Sequence, residues 1–259
     1  MVWTSLSKVK HKNKALRRHA NYLFAKQDIV VPICDFELQD AVSAFPLVFI
    51  RHNNLLQFCA VMGLEKDKNL FVDSAGHWVG NFMPSAIRVF PFRAGQLEDG
   101  AGAVLLLQSS DLVVDRSDGI PFFNDDGTES DSLKEYIKLL GNIQRSQAII
   151  NKACLSIEKF GLTENFNLKV QGRGNETKNL TGLLRINPTV FDQLDNEKFM
   201  ELRKVRALDI IYAHFYSMPC MGKLLNLIAI GEKKEDGLRH LGAKIFDQQE
   251  PVFDFNFGE

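Results

Sequence analysis

Cysteine is scarce in this sequence and badly spaced for chemistry. Cys34, Cys59, Cys154 and Cys220 are the only ones in 259 residues, and no two of them form a CxxC pair. None lies near a histidine at metal-ligand spacing, which excludes the familiar zinc ribbons and disulfide frameworks. Each sits in an apolar neighbourhood, so buried reduced thiols are expected, with a single disulfide as the alternative. Nucleotide and nucleophile signatures are missing too: neither GxGxxG nor GxxxxGK[ST] occurs, nor GxSxG, nor HExxH. No run approaches the ~18 apolar residues of a membrane-crossing helix. The basic start is not followed by the apolar core of a leader, and on that ground the expected compartment is the cytoplasm. Net charge is −1, against a protein that coats nucleic acid with its whole surface. Tryptophan (2) and tyrosine (4) are rare beside phenylalanine (20), a composition that speaks of thick apolar packing.

What is present is a chain of near-average composition, long enough to bury a large core without staples. It reads as one α+β domain over residues 28–236, with a basic segment at 1–27 and a charged tail at 237–259. The first segment carries Lys8, Lys10, Lys12, Lys14, Arg17, Arg18 and Lys26 and no acidic residue. It reads either as an arm for an anionic partner or as a solvated stretch with a short amphipathic helix over 16–24. A strand with Pro32 near its end suits a sheet edge. A short helix over 37–45 stops before Pro46. Leu47–Arg51 and Gln57–Leu64 read as strands around His52-Asn53-Asn54, with Leu70–Val72 as a third. Pro84 is placed to open a helix, 94–102 reads as a loop, and 103–108 with 111–114 as a hairpin.

The strongest periodicity follows. Leu133, Ile137, Leu140, Ile143, Ile150, Cys154, Ile157 and Phe160 recur mostly three and four apart, a helix of about 28 residues. Ser132 with Glu135 reads as its capping box and Gly161 as its stop. Leu168–Val170 and Leu183–Ile186 read as a hairpin, 188–194, 196–205 and 206–217 as helices, and 224–230 as a buried strand or helix. The fold class is therefore α+β, with antiparallel sheet in the N-terminal half and a long helix plus shorter ones packed on it.

Candidate chemistry gathers between residues 73 and 93. Arg88 and Arg93 lie near Trp78, Phe82, Phe90 and Phe92, and Asp73 precedes them across a turn. A guanidinium binds carboxylates in a fork and stacks on aromatic rings, so Asp73, Trp78, Arg88, Phe92 and Arg93 form a candidate site for a peptide or small anionic ligand. The competing reading pairs Arg88 with Asp73 or Glu37 and leaves the aromatics to the core. His214, on an apolar helix, is a secondary candidate as a base, against the reading of a satisfied core histidine. Asp73 with His77 is the nearest approach to a metal pair, and capping of the turn by Asp73 explains it better. The run 124–135 departs from a calcium loop at its required glycine, where Glu129 stands. No metal site is assigned, and any cofactor is left open.

The ordered pieces Asp35-Phe36-Glu37, Phe45-Pro46-Leu47-Val48-Phe49, Gly63-Leu64, Asn69-Leu70-Phe71-Val72-Asp73, Gly76-x-Trp78 and Pro84-x-x-Ile87-Arg88-x-x-Pro91-Phe92 resemble the bacterial SapC family. Phe122-Phe123-x-x-Asp126-Gly127, Gly182-Leu183-Leu184-Arg185-Ile186-Asn187 and Ala213-His214-x-x-Ser217 continue the resemblance in order, to about residue 230. The resemblance implies an accessory protein linked by family name to the bacterial surface layer, often encoded near outer-membrane receptors and flavin-dependent halogenases. It carries over no catalytic residues. Two functions from different classes follow: an accessory protein that binds a ligand or a protein partner, or an enzyme acting on a peptide or amino-acid-like substrate with an unidentified metal or cosubstrate.

Overall fold

The computed structural model describes residues 3–17, 21–96, 103–108, 112–171 and 177–228. In chain order its strands are β1 (Trp3–Ser5), β2 (Lys14–Leu16), β3 (Val30–Pro32), β4 (Leu47–His52), β5 (Leu55–Val61), β6 (Phe92–Gln96), β7 (Ala103–Gln108), β8 (Val113–Asp115), β9 (Ile120–Pro121), β10 (Thr163–Asn165), β11 (Leu168–Gln171), β12 (Thr177–Leu180) and β13 (Leu183–Ile186). Its helices are α1 (Lys8–His11), α2 (Leu38–Ala44), α3 (Ser85–Arg88), α4 (Asp131–Lys159), α5 (Pro188–Asp192), α6 (Asn196–Lys204), α7 (Ala207–Ser217) and α8 (221–228). The class is α+β, with antiparallel pairing throughout and α4 as the long helix.

The main sheet runs β10-β13-β4-β5-β3 and is built on the β4–β5 hairpin. Asn53 and Asn54 make its two-residue turn at φ 48° and 60°. Both central residues of a tight hairpin turn need left-handed backbone, which asparagine tolerates better than other side-chain-bearing residues. Pro32 closes β3 at the sheet edge, where a missing N–H leaves no ladder bond unmade.

Several pairings differ from the sequence expectation. Leu70–Val72 is not a sheet strand; Val72 makes an isolated bridge to Trp78, and β3 and β13 flank the hairpin instead. The cause is Asn69, buried with its Nδ2 on the Ala25 carbonyl (3.0 Å) and its Oδ1 accepting from Phe71 N–H (2.9 Å). Those bonds turn the backbone away from the ladder. β7 pairs with β1 and β6, and β8 with β2, so 103–108 and 111–114 are not one hairpin. Residues 94–96 belong to β6, and the rest of the expected 94–102 loop lies outside the described residues. β11 pairs with β12, while β13 joins β4 through Leu183↔Ile50 and Leu184↔Phe49 and buries Leu183 and Ile186. The main sheet thus draws on both halves of the chain.

The basic N-terminal stretch supplies β1 and β2 to two further three-stranded sheets, β1-β7-β6 and β8-β2-β9. Ala15 and Leu16 are buried there. The amphipathic helix read over 16–24 does not form among the described residues: Leu16 ends a strand and Leu23–Ala25 make a single 3-10 turn. The expected tail at 237–259 lies outside them.

α4 is about 44 Å long at 1.5 Å per residue. Its N-cap is Ser130, not Ser132: the Ser130 hydroxyl accepts from Leu133 N–H at 3.2 Å. Gly161 follows its end with φ 62°, as a stop requires. Two apolar clusters share this helix. Leu133 and Leu140 join Leu16, Phe92, Leu107 and Phe122 in the smaller one. Ile150, Ala153, Cys154 and Ile157 join the main sheet, α2 and α7 in the larger. Ile137, expected on the buried face, stays 45% exposed. Asn187 and Asp195 cap α5 and α6, and 224–228 belongs to α8 with Leu224 fully buried.

Candidate functional site

The loop from Asn69 to Phe82 is held by its own side chains. Asp73 Oδ1 accepts from the N–H groups of Ala75 (2.9 Å) and His77 (2.8 Å), and its Oδ2 lies 3.2 Å from His77 Nδ1. The hydrogen bond from His77 N–H, above all, holds the Asp73 carboxyl below its usual pKa. Asp73 is thus a turn cap. Trp78 is half-buried, stacked on Phe71 with centroids 5.7 Å apart, and its Nε1 donates to the Phe82 carbonyl at 3.0 Å. Gly80 leaves room for it: a Cβ there would lie 2.9 Å from Trp78 Nε1.

The other candidate residues are dispersed. Arg88 is exposed, and its Nη2 donates to Ser85 Oγ at 2.8 Å. Ser85 Oγ in turn donates to Glu37 Oε2 at 2.6 Å, beside a bond from Ser85 N–H at 2.9 Å. Glu37 Oε1 accepts from Cys34 N–H at 2.9 Å. Arg88 therefore reaches the buried carboxylate of Glu37 through a serine. Phe92 is buried in the smaller cluster against Phe122 and Tyr136. Its neighbour Arg93 points to the opposite face of β6, as strand alternation dictates, and stacks over Trp3 at 4.2 Å. Asp73 and Trp78 share one loop; Phe92 and Arg93 do not join them in a common lining.

His214 is 1% exposed. Its Nδ1 lies 2.7 Å from the Leu47 carbonyl and its Nε2 accepts from Ile186 N–H at 3.3 Å, so the proton sits on Nδ1. Burial lowers its pKa. Both ring nitrogens are committed to backbone, and the ring is a structural clasp between α7, β4 and β13.

Beside Trp78 lies an open cleft of about 660 Å³ between α2, the 79–82 loop and α8. Phe45, Phe71, Phe82 and Leu227 give it an apolar floor; Asp40, Asn81, Lys223 and Asn226 give it a polar rim. α8 is tied to the end of α2 by Lys223 Nζ on the Ser43 carbonyl (2.5 Å), and the 3-10 turn before it by Cys220 Sγ on the Val42 carbonyl (3.4 Å). Phe82 is legible in the sequence as part of this region, but Asp40, Lys223 and Asn226 are not. They come from helices distant in the chain: Lys223 and Ser43 stand 180 residues apart. Among the described residues, no three His, Cys, Asp or Glu side chains converge as metal ligands. No described helix is long and apolar enough to cross a membrane.

Fold and cleft together define an α+β protein with an open, mixed apolar and polar groove and no metal-ligand cluster among the described residues. Residues 6–224 match the SapC family, and the chain belongs to it. Comparison with curated proteins and with solved structures returned no match.

Proposed function

We propose that this SapC-family chain is a bacterial accessory protein that binds a peptide or small anionic ligand in the cleft beside Trp78. The observation that carries this reading is the cleft itself, whose size falls in the ~300–1,000 Å³ range of small-ligand sites and whose lining mixes aromatic floor with a few polar groups. In this reading Trp78 and Asp73 act by holding the loop that walls the cleft. Arg88, Phe92 and Arg93 stand outside its lining. The four free, buried thiols support a reducing compartment such as the cytoplasm.

Saturation-transfer NMR with a library of short peptides and small carboxylates tests it. Binding that is lost on Leu227→Glu, with the fold retained by circular dichroism, is the expected result. Binding that survives both Leu227→Glu and Phe82→Ala would place the ligand elsewhere.

A further inference from the structure

The cleft rim carries one charge of each sign. Asp40 sits on the exposed face of α2, one turn before Ser43, whose carbonyl takes a single hydrogen bond from Lys223. An ammonium has three N–H donors, so Lys223 keeps two for a ligand. Among the described residues, no hydrogen bond or ion pair engages the Asp40 carboxylate, and none engages the carboxamides of Asn81 and Asn226. Three polar side chains with no partner among the described residues, and a lysine with donors to spare, therefore border one aromatic floor.

We infer, resting on the cleft reading above, that the ligand is a short peptide with both ends free. Its amino terminus lies at Asp40, its carboxylate at Lys223, and an apolar or aromatic side chain sits on Phe45, Phe71 and Phe82. The size of the cleft sets the length. A single amino acid would leave much of its volume of about 660 Å³ unfilled, whereas two or three residues occupy more of it. Asn81 and Asn226 each offer a donor and an acceptor, which suits the peptide group between the ends. A simple anion would leave Asp40 facing it, a like-charge contact that disfavours binding.

The test is titration of the full chain with the tripeptide Ala-Phe-Ala, its N-acetylated form, its C-amidated form and free phenylalanine. The Trp78 indole N–H resonance reports on the cleft, and Trp3, stacked under Arg93, serves as reference. The free tripeptide is expected to bind best. Acetylation and amidation should each weaken it about three- to fivefold, as loss of an exposed charge pair does. Asp40→Asn should abolish the penalty of acetylation and Lys223→Met that of amidation. If the blocked peptides bind as well as the free one, and Phe82→Ala weakens all of them, the charge assignment falls and the cleft reading stands. Free phenylalanine binding as tightly as the tripeptide overturns the length assignment. If none of the probes moves the Trp78 resonance, the cleft reading falls with it.

Discussion

His214 and Leu47, 167 residues apart in sequence, are joined by a 2.7 Å hydrogen bond from the imidazole Nδ1 to the strand carbonyl. One turn further along α7, Ser217 Oγ accepts from the N–H of the same Leu47 at 2.9 Å and donates to the His214 carbonyl at 2.8 Å. Both backbone groups of the first residue of β4 are thus satisfied by side chains of one helix. The His-x-x-Ser spacing serves this clasp.

The clasp makes stability fall with acid. Burial holds the pKa of His214 below its value of 6.5 in an unfolded chain. Between those two values the unfolded chain binds a proton that the folded one refuses, so this contribution is fully present above pH 6.5 and lost as pH drops below it. The unfolding free energy from urea titrations should decline by up to about 1.4 kcal/mol per pH unit in that window. His214→Gln should flatten the profile; an unchanged slope would remove His214 as its source.

Ser217→Ala leaves a buried N–H on Leu47 without an acceptor, which costs roughly 1–3 kcal/mol. Glu37→Gln should be comparable, since its two oxygens take three hydrogen bonds from Cys34 and Ser85 and a carboxamide nitrogen can accept none. Chemical denaturation of the two variants measures both. A change under ~0.5 kcal/mol in either would show that local rearrangement or water replaces the lost bonds.

Two glycines should respond with opposite sign to alanine. At Gly63 a Cβ would lie 2.0 Å from the Lys68 carbonyl oxygen, which is backbone and cannot yield cheaply. Gly63→Ala should destabilise by about 2 kcal/mol or more. Gly141 lies inside α4, and a methyl added there would meet nothing within 4 Å, so Gly141→Ala should stabilise by about 0.5–1 kcal/mol. Thermal melts of the pair decide it.

Burial pushes the thiols of Cys34, Cys59 and Cys154 up to about 12. At pH 8 they are protonated and shielded, so alkylation of these three should be negligible in the native protein and fast once urea unfolds it. Rapid native labelling at any of the three, located by mass spectrometry, would contradict the burial.

The long helix, the β4–β5 hairpin and the α5–α7 series are legible in the sequence because their signals are local: periodicity at three and four, an Asn-Asn turn, caps at fixed offsets. Strand partners are not. Nothing near Leu183 announces that it pairs with Ile50, and nothing near Leu70 shows that Asn69 will fold the chain out of the ladder. The site follows the same rule. Trp78 and Asp73 share a turn and stay together in the fold, whereas Phe92 and Arg93, adjacent in sequence, part to opposite faces of a strand. The sequence offers Asp73 or Glu37 as a partner for Arg88. The folded chain joins Arg88 to Glu37 by way of Ser85, a contact that spacing alone does not encode.

The placement of α7 against β4, and of α8 against the end of α2, carries a cost in time. The larger cluster gathers residues from Ala25 to Ile87 and then from Ile150 to Leu224. A ribosome must therefore make most of the described chain before the cover of the first hairpin, begun by α4, is complete. Throughout that interval Phe45, Leu47, Phe49 and Phe58, all buried in the finished fold, lack α7 and α8 to pack against. The nascent chain keeps that apolar surface open to aggregation until α7 and α8 have both emerged.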